Sequence, residues 1–166
     1  MAETIKIQDY LAGYVRGVLN QAARAIEDLT VEELHFRPGE NCNSIGFDAW
    51  HVARTADNLI HFAFEREKPV WLVQGLDEAW GLPKVDQGTG MAPADAYALR
   101  FPEPSALVGY CNDVADAIVP RIEQMTDEYL LTTTEIRPQG ELPRYQIIGQ
   151  VIVNHGNNHT GQMNLA

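Results

Sequence analysis

Val153-Asn-His-Gly-Asn-Asn-His-Thr-Gly-Gln162 is the stretch from which the fold and the chemistry of this chain can be inferred. Its two histidines, His155 and His159, are four residues apart, which is about one turn of an α-helix. At that spacing both imidazoles project from one face, with Cβ atoms roughly 6 Å apart. Apolar residues continue this face at Ile148, Val151, Ile152 and Met163. The pattern therefore predicts a last helix, with Pro143 at its first position, whose core-facing side carries both histidines.

Two neutral imidazoles on adjacent turns can bind one divalent ion, and a third protein ligand would complete an open site of the catalytic type. His51, far upstream in a second helical pattern, is the candidate for that ligand. The alternative, in which the histidine pair has only a packing role, stays open on this spacing alone. His61 lies roughly 15 Å further along the same helix than His51, so it should not reach the ion and is expected at the core edge or surface. His35 is expected to be structural.

Three more segments have apolar residues at three- and four-residue spacing. The first predicted helix runs from Ile7 to Leu29, after which Thr30-Val-Glu-Glu33 has the pattern of a capping box. Ser44 is the expected N-cap of the second helix, which extends to about Arg66. The third begins near Pro104 or Ser105 and continues to about Met125, with a kink or an early end at Pro120.

The four predicted helices indicate an all-α fold, a four-helix bundle with a long crossover between the second and third helices. No segment shows sustained period-two alternation, so strand content should be negligible. A chain of 166 residues suits a single domain spanning 1–166, long enough to bury a full hydrophobic core.

The crossover, residues 67–103, is the least regular part of the chain. Gly88-Thr-Gly90 is one of several turn signals there that no continuous helix carries. A loop of this length in a compact domain is usually functional or contains small helices of its own. Its aromatic residues can pin the loop to the bundle, line a pocket, or do both: Trp71, Trp80, Tyr97 and Phe101.

The composition excludes several classes of partner. A net charge of −11 argues against nucleic acid, whose binding depends on lysine and arginine, and against anionic membrane surfaces. Two cysteines without CxxC spacing do not make a disulfide framework. No targeting segment and no apolar run of membrane-spanning length is visible, so we expect a cytoplasmic protein.

Three polar residues have two interpretations each. Asp48, one turn before His51, would either orient that imidazole or favour the dipole of the second helix, and the dipole role is slightly preferred. Cys42 would approach the site as a thiolate or, as we prefer, be a buried small residue. Gln162 would support the site or belong to the polar surface.

The chain resembles the DinB/YfiT-like family in two ordered motifs. The first comprises Leu29-Thr-Val-Glu-Glu-Leu34, Arg37-Pro38 and Asn43-Ser-Ile-Gly46, and it leads to His51. The second is the HxxxHxGQ pattern that begins at His155 and ends at Gln162. With the helical outline, the resemblance covers nearly the whole chain.

This resemblance implies a four-helix bundle in which His51, His155 and His159 hold one divalent metal ion per chain, commonly nickel or zinc. It also implies a homodimer. Some relatives are metal-dependent thiol S-transferases that use low-molecular-weight thiols, others are maleylpyruvate isomerases that use mycothiol, and many have no assigned reaction.

Two function classes follow. The first is a metal-dependent enzyme that acts on a small molecule, as a thiol S-transferase or a hydrolase. The second is a non-catalytic metal- or ligand-binding protein of stress responses. No catalytic residue is assigned, because no Ser/His/Asp set, phosphate loop or paired acid and base stands out. Catalysis would depend on the metal, which can ionise a bound thiol or water or polarise a carbonyl.

Overall fold

A computed structural model describes residues 6–166, and most of them are helical. The first half of the chain contains α1 (Ile7–Arg24), α2 (Val31–Leu34), α3 (Ile45–Asp57), α4 (Val70–Val73), α5 (Leu76–Trp80) and α6 (Pro93–Ala98). The second half contains α7 (Pro104–Glu123), α8 (Asp127–Leu131), β1 (Thr133–Ile136), β2 (Gly140–Pro143), α9 (Arg144–Gln146) and α10 (His155–Leu165). Among these described residues, no helix combines the length and the apolar character that a membrane crossing requires.

The predicted caps of the first two connections are confirmed. Thr30 and Glu33 form the capping box, in which each side chain binds the backbone N–H of the other residue. Ser44 accepts the backbone N–H of Phe47 at 3.2 Å and begins α3. The first helix ends earlier than predicted, at Arg24, because residues 25–28 form turns although Ile26 stays fully buried. Ile26 therefore continues the apolar pattern of the sequence beyond the end of the helix, which is why the predicted helix was too long.

Two long helical segments of the chain include a stretch of π-helix. α3 continues without a break as a π-helical segment, Asn58–Phe64, which brings its end close to the predicted Arg66. The segment Ile147–Asn154 is also π-helical and joins α9 to α10. Segments of this kind often occur at functional sites, and the second one leads directly into His155.

The third predicted helix is present as α7, but the expected early end at Pro120 is wrong. The helix continues to Glu123, and the backbone N–H of Gln124 then binds the carbonyls of Pro120 and Arg121. Pro120 lies in the last turn, so its missing N–H removes only one hydrogen bond of the helix.

The prediction of negligible strand content needs a correction. β1 and β2 form an antiparallel hairpin in which Ile136 pairs with Gly140 and Thr133 with Pro143. Each strand has four residues, which is too short for a visible alternation in sequence. Pro143 ends β2 and caps α9, so it stands one residue before the helix instead of at its first position.

The long helices pack against one another around one hydrophobic core. α1 lies against α7, and α3 contacts both α7 and α10. The crossover contains α4, α5 and α6, as a loop of its length allows. Trp71 is fully buried and Phe101 nearly so, which confirms that aromatic residues pin this segment to the helices.

α10 packs closely against α1 at Gly156, next to the first histidine of the HxxxH pair. A Cβ atom at this position would lie 2.5 Å from Cγ1 of Val18. Val18 is buried and its branched side chain has little freedom at χ1, so it cannot move aside cheaply. Glycine therefore lets the two helices approach and sets the position of His155.

Replacing Gly156 by alanine should lower the free energy of unfolding by about 1–3 kcal/mol, because the new methyl group overpacks a filled core. The matched control is Gly161→Ala in the same helix, where nothing lies within 4 Å of the added Cβ. That change should be neutral or stabilising by about 0.5–1 kcal/mol. Urea denaturation of the two variants measures the difference, and equal stabilities would contradict the packing described.

Candidate metal centre

Three histidine side chains from two helices meet at one end of the core. His51 comes from α3, and His155 and His159 come from α10. The Nε2 atom of His155 lies 3.3 Å from Nε2 of His51 and 3.0 Å from Nε2 of His159. One ring nitrogen from each residue lies within 4.8 Å of the other two. The three residues singled out in the sequence are thus brought together.

The crossover orients His51. Nδ1 of His51 lies 2.5 Å from the backbone carbonyl oxygen of Gln87, which can only accept a hydrogen bond. The next residue, Gly88, has a φ of +96°, and a Cβ there would lie 2.7 Å from Cζ of Phe47 and 3.2 Å from Nδ1 of His51. Only glycine lets the chain pass so close to this imidazole.

Asp48 orients His159. Its Oδ1 atom accepts hydrogen bonds from Nδ1 of His159 at 2.9 Å and from the side-chain amide of Asn43 at 2.8 Å. The expectation that Asp48 would orient His51, its neighbour on the same helix, is therefore wrong. Asp48 is only 4% exposed and lies in the first turn of α3, which is the position that the preferred helix-dipole interpretation requires.

These partners fix which nitrogens carry protons. Because the Gln87 carbonyl and the Asp48 carboxylate accept, His51 and His159 each carry a proton on Nδ1 and present the lone pair of Nε2. If His155 carries its proton on Nε2, it can donate to one of these lone pairs and leaves the other without a partner; if it carries the proton on Nδ1, three lone pairs face one another. A divalent cation removes that repulsion. Nitrogens bound to one ion at about 2.0–2.1 Å are separated by roughly 3.0–3.4 Å, which fits the Nε2 separations of 3.0 and 3.3 Å.

Burial lowers the pKa of two of the three imidazoles. The pKa of His51 is lowered to about 4, first by burial and then by the nearby charges of His159 and His155, against the opposing hydrogen bond to Gln87. The pKa of His155 is also lowered, first by burial and then by His159. Only the neutral ring can bind a metal, so the lowered pKa keeps His51 and His155 available to an ion at a lower pH than an ordinary imidazole.

The three histidines line a cavity of about 270 Å³. Its other walls come from the start of α3 and from the crossover, including Phe47, Gly88, Met91 and Tyr97. The ring of Phe47 stacks on that of His51, and the Tyr97 hydroxyl donates to the carbonyl of Glu40. The alternative in which crossover aromatics line a pocket therefore applies to Tyr97, while Trp71 and Phe101 pin the segment.

The family model of the DinB superfamily matches residues 15–163. The chain belongs to the DinB superfamily. A crystal structure of a conserved protein from Enterococcus faecalis has a similar fold, with a TM-score of 0.82 and 20% sequence identity over 96% of this chain and 94% of that one. No curated protein matches the chain.

In this DinB protein, the two remaining histidines lie outside the cluster. His35 is structural, as predicted: its Nδ1 donates to the Val31 carbonyl at 2.6 Å, and its Nε2 accepts the backbone N–H of Phe101 at 3.0 Å. His61 is 4% exposed and lines a cavity beside Lys68 and Arg121, so it lies at the edge of the core, one of the two positions expected, and not at the surface. Its Nδ1 donates to the buried carboxylate of Asp57 at 2.8 Å.

Two other candidates lie beside the site. Cys42 is exposed, so the preferred interpretation as a buried residue is wrong. It lines a neighbouring cavity of about 320 Å³ together with Asp48 and the exposed Gln162. The sequence did not identify Gln87 and Gly88 as functional, although Gly88-Thr-Gly90 was recognised as a turn. The signal in the sequence for this contact was the glycine itself. Glycine is favoured where a positive φ brings the backbone close to another group.

Stability of the metal-free protein should fall as the pH decreases from about 6.5 to about 4. In the unfolded chain His51 has an ordinary pKa of about 6.5 and takes up a proton in this interval. In the folded protein it stays neutral until about pH 4, so protonation favours the unfolded state. The loss attributable to His51 is at most about 3 kcal/mol.

Urea denaturation of metal-free protein at several pH values between 7 and 4 measures this loss. The comparison is with His51→Gln, which keeps much of the side-chain volume but has no titratable ring. The variant should lose less stability over the same interval. Parallel curves for the two proteins would show that His51 does not titrate as described.

Proposed function

We propose that this protein binds one divalent metal ion, nickel or zinc, through His51, His155 and His159, and is a metal-dependent enzyme acting on a small molecule. The convergence of the three Nε2 atoms, 3.0 and 3.3 Å apart, carries the proposal. Such an ion would lower the pKa of a bound thiol or water, or polarise a carbonyl. The Gln87 carbonyl and the Asp48 carboxylate would hold two of the rings in the orientation that the ion requires.

The cavity favours an enzyme over a non-catalytic metal-binding protein. Three protein ligands leave positions free for a substrate, and the three histidines form part of a cavity wall. A storage or structural site would instead have a fourth protein ligand. Within the described residues, no cysteine or carboxylate joins the three histidines to complete such a set.

The lining of the cavity favours thiol S-transfer over hydrolysis. Apart from the histidines, its described lining residues include no aspartate, glutamate, lysine or cysteine. Hydrolysis usually needs a general base for water, whereas a thiol ionises far more readily. In the transfer, the thiol sulfur would bond to an electrophilic carbon as that carbon loses its leaving group. The thiol proton would pass to the leaving group or to solvent. The second substrate would be a low-molecular-weight thiol.

We propose further that the long helical segments form a four-helix bundle in a single domain, with residues 67–103 as the crossover. The contacts of α1 with α7, and of α3 with α7 and α10, support this arrangement. The crossover would then be the element that covers the metal at one end of the bundle. The free thiol of Cys42 is consistent with a reducing compartment such as the cytoplasm.

Loss of a residue that orients a metal ligand typically lowers the metal affinity roughly 10- to 100-fold. Replacing a ligand itself (His51, His155 or His159) by alanine should lower it more. Asp48→Asn should show that smaller loss, since the amide accepts a hydrogen bond from His159 less strongly than a carboxylate does. Calorimetric titration of nickel and zinc, with elemental analysis of the purified protein, measures both effects.

The matched controls are His35→Gln and His61→Gln, which should bind one ion per chain like the wild type. If His51→Ala retained full occupancy and His61→Gln lost it, the ligand assignment would be wrong. The loaded protein is then tested for consumption of low-molecular-weight thiols with small electrophiles. Full metal occupancy without turnover would favour the non-catalytic alternative.

A homodimer is also proposed, with the exposed face of α1 as its interface. Ile7, Tyr10 and Tyr14 lie on successive turns of that face, and each is about half exposed. The double change Tyr10→Glu and Tyr14→Glu would place charges in the interface and should halve the mass measured by light scattering. Phe62→Glu, at an equally exposed position elsewhere, is the control. A wild-type protein that is monomeric at micromolar concentration would refute the proposal.

A further inference from the structure

A second cavity, of about 160 Å³, lies between the β-hairpin, the helices and the crossover residues Gln87 and Thr89. His155 and Thr89 line both this cavity and the one at the three histidines. The β-hairpin forms its outer wall through Ile136, Arg137 and Gln139. The two cavities are therefore neighbours, with His155 and Thr89 between them.

Two residues that line this cavity have buried polar atoms without partners. Thr55, which is 3% exposed, and Gln87 both line the cavity. Neither Oγ1 of Thr55 nor the side-chain oxygen of Gln87 has a hydrogen-bond partner among residues 6–166, although both atoms are buried. A buried polar atom without a partner costs folding free energy, and such atoms recur where a ligand supplies the missing bond.

A cation stands at the mouth of the cavity. Arg137 is exposed, and its guanidinium forms no ion pair or side-chain hydrogen bond with any residue that the structure describes. Gln139 and Gln150 lie beside it and offer amide donors, whereas Leu59 and Val151 line the cavity with apolar surface. A guanidinium binds a carboxylate through two parallel hydrogen bonds, and apolar walls suit a short carbon chain.

We propose that this hairpin cavity is the subsite for a carboxylate on a short aliphatic arm of the substrate. The inference rests on the proposed function, because the same substrate would place its reacting group at the three histidines. Arg137 binds the carboxylate, Thr55 and Gln87 bind polar groups along the arm, and the arm crosses between the two cavities beside His155 and Thr89. The hairpin thus selects anionic substrates in a protein whose net charge is −11.

The subsite is tested first without metal, with butyrate as the probe and butanamide as its uncharged analogue. Side-chain amide signals of Gln87, Gln139 and Gln150 in ¹⁵N NMR spectra report binding. Butyrate should shift them, and butanamide should bind at least about tenfold more weakly, since charge-assisted hydrogen bonds are lost. No shift with butyrate, or equal affinity for the two probes, would overturn the proposal.

Variants then locate the carboxylate. Arg137→Gln should weaken butyrate binding about tenfold or more, whereas Arg24→Gln, an exposed arginine at the end of α1, should leave it unchanged. Thr55→Val keeps the side-chain volume; it should weaken binding of γ-hydroxybutyrate a few-fold and raise the thermal unfolding midpoint, because an unpaired buried hydroxyl is removed. Unchanged butyrate affinity in Arg137→Gln would refute the subsite.

The metal is added last, as zinc, to separate this inference from the proposed function. Amide shifts that appear only in the zinc-loaded protein would show that butyrate binds at the metal, and they would refute the subsite while leaving the metal centre intact. Butyrate binding that depends on Arg137 in a protein that takes up no zinc would refute the proposed function and retain the carboxylate subsite.

Discussion

The carboxylate of Asp57 is the contact through which the crossover is attached to the helices. It is fully buried on α3 and accepts four hydrogen bonds, from Nδ1 of His61, the Tyr110 hydroxyl on α7, and the backbone N–H groups of Val70 and Trp71. A buried carboxylate is tolerated only when its acceptor capacity is used in this way. The same atoms also cap the first turn of α4, so a single side chain fixes where the crossover begins.

Because the start of the crossover is fixed, the backbone that leads to Gln87 is also held in place. Trp71 fills the core beside Trp50, and its indole N–H donates to the Pro83 carbonyl at 3.1 Å. Arg54, one turn after His51 on α3, places its Nη2 atom 3.3–3.5 Å from the carbonyls of residues 84–86. Both contacts hold the backbone just before Gln87, whose carbonyl orients His51. A buried polar network in the core thus controls the geometry of an imidazole at the metal centre.

The features that the sequence predicted correctly depend on residues that are close together in the chain. The capping box at Thr30, the N-cap at Ser44 and the HxxxH pair depend on residues within one helical turn, so their patterns are visible in the chain. The partners of the histidines are not local. Asp48 binds an imidazole on another helix, and Gln87 contributes a backbone atom, for which any residue type would serve. The hairpin was missed because its strands are four residues long and are stabilised by their place beside the helices.

The candidate metal centre brings together three imidazoles whose Nε2 atoms lie close to one another. Asp48 and Gln87 direct the lone pairs of His159 and His51 toward the third imidazole. The packing of Gly156 against Val18 and of Gly88 against Phe47 fixes the backbone next to His155 and His51. An ion that binds only the folded chain would add stability in proportion to the logarithm of its concentration over its dissociation constant. The tightly packed surroundings thus make the rings preorganised ligands for such an ion.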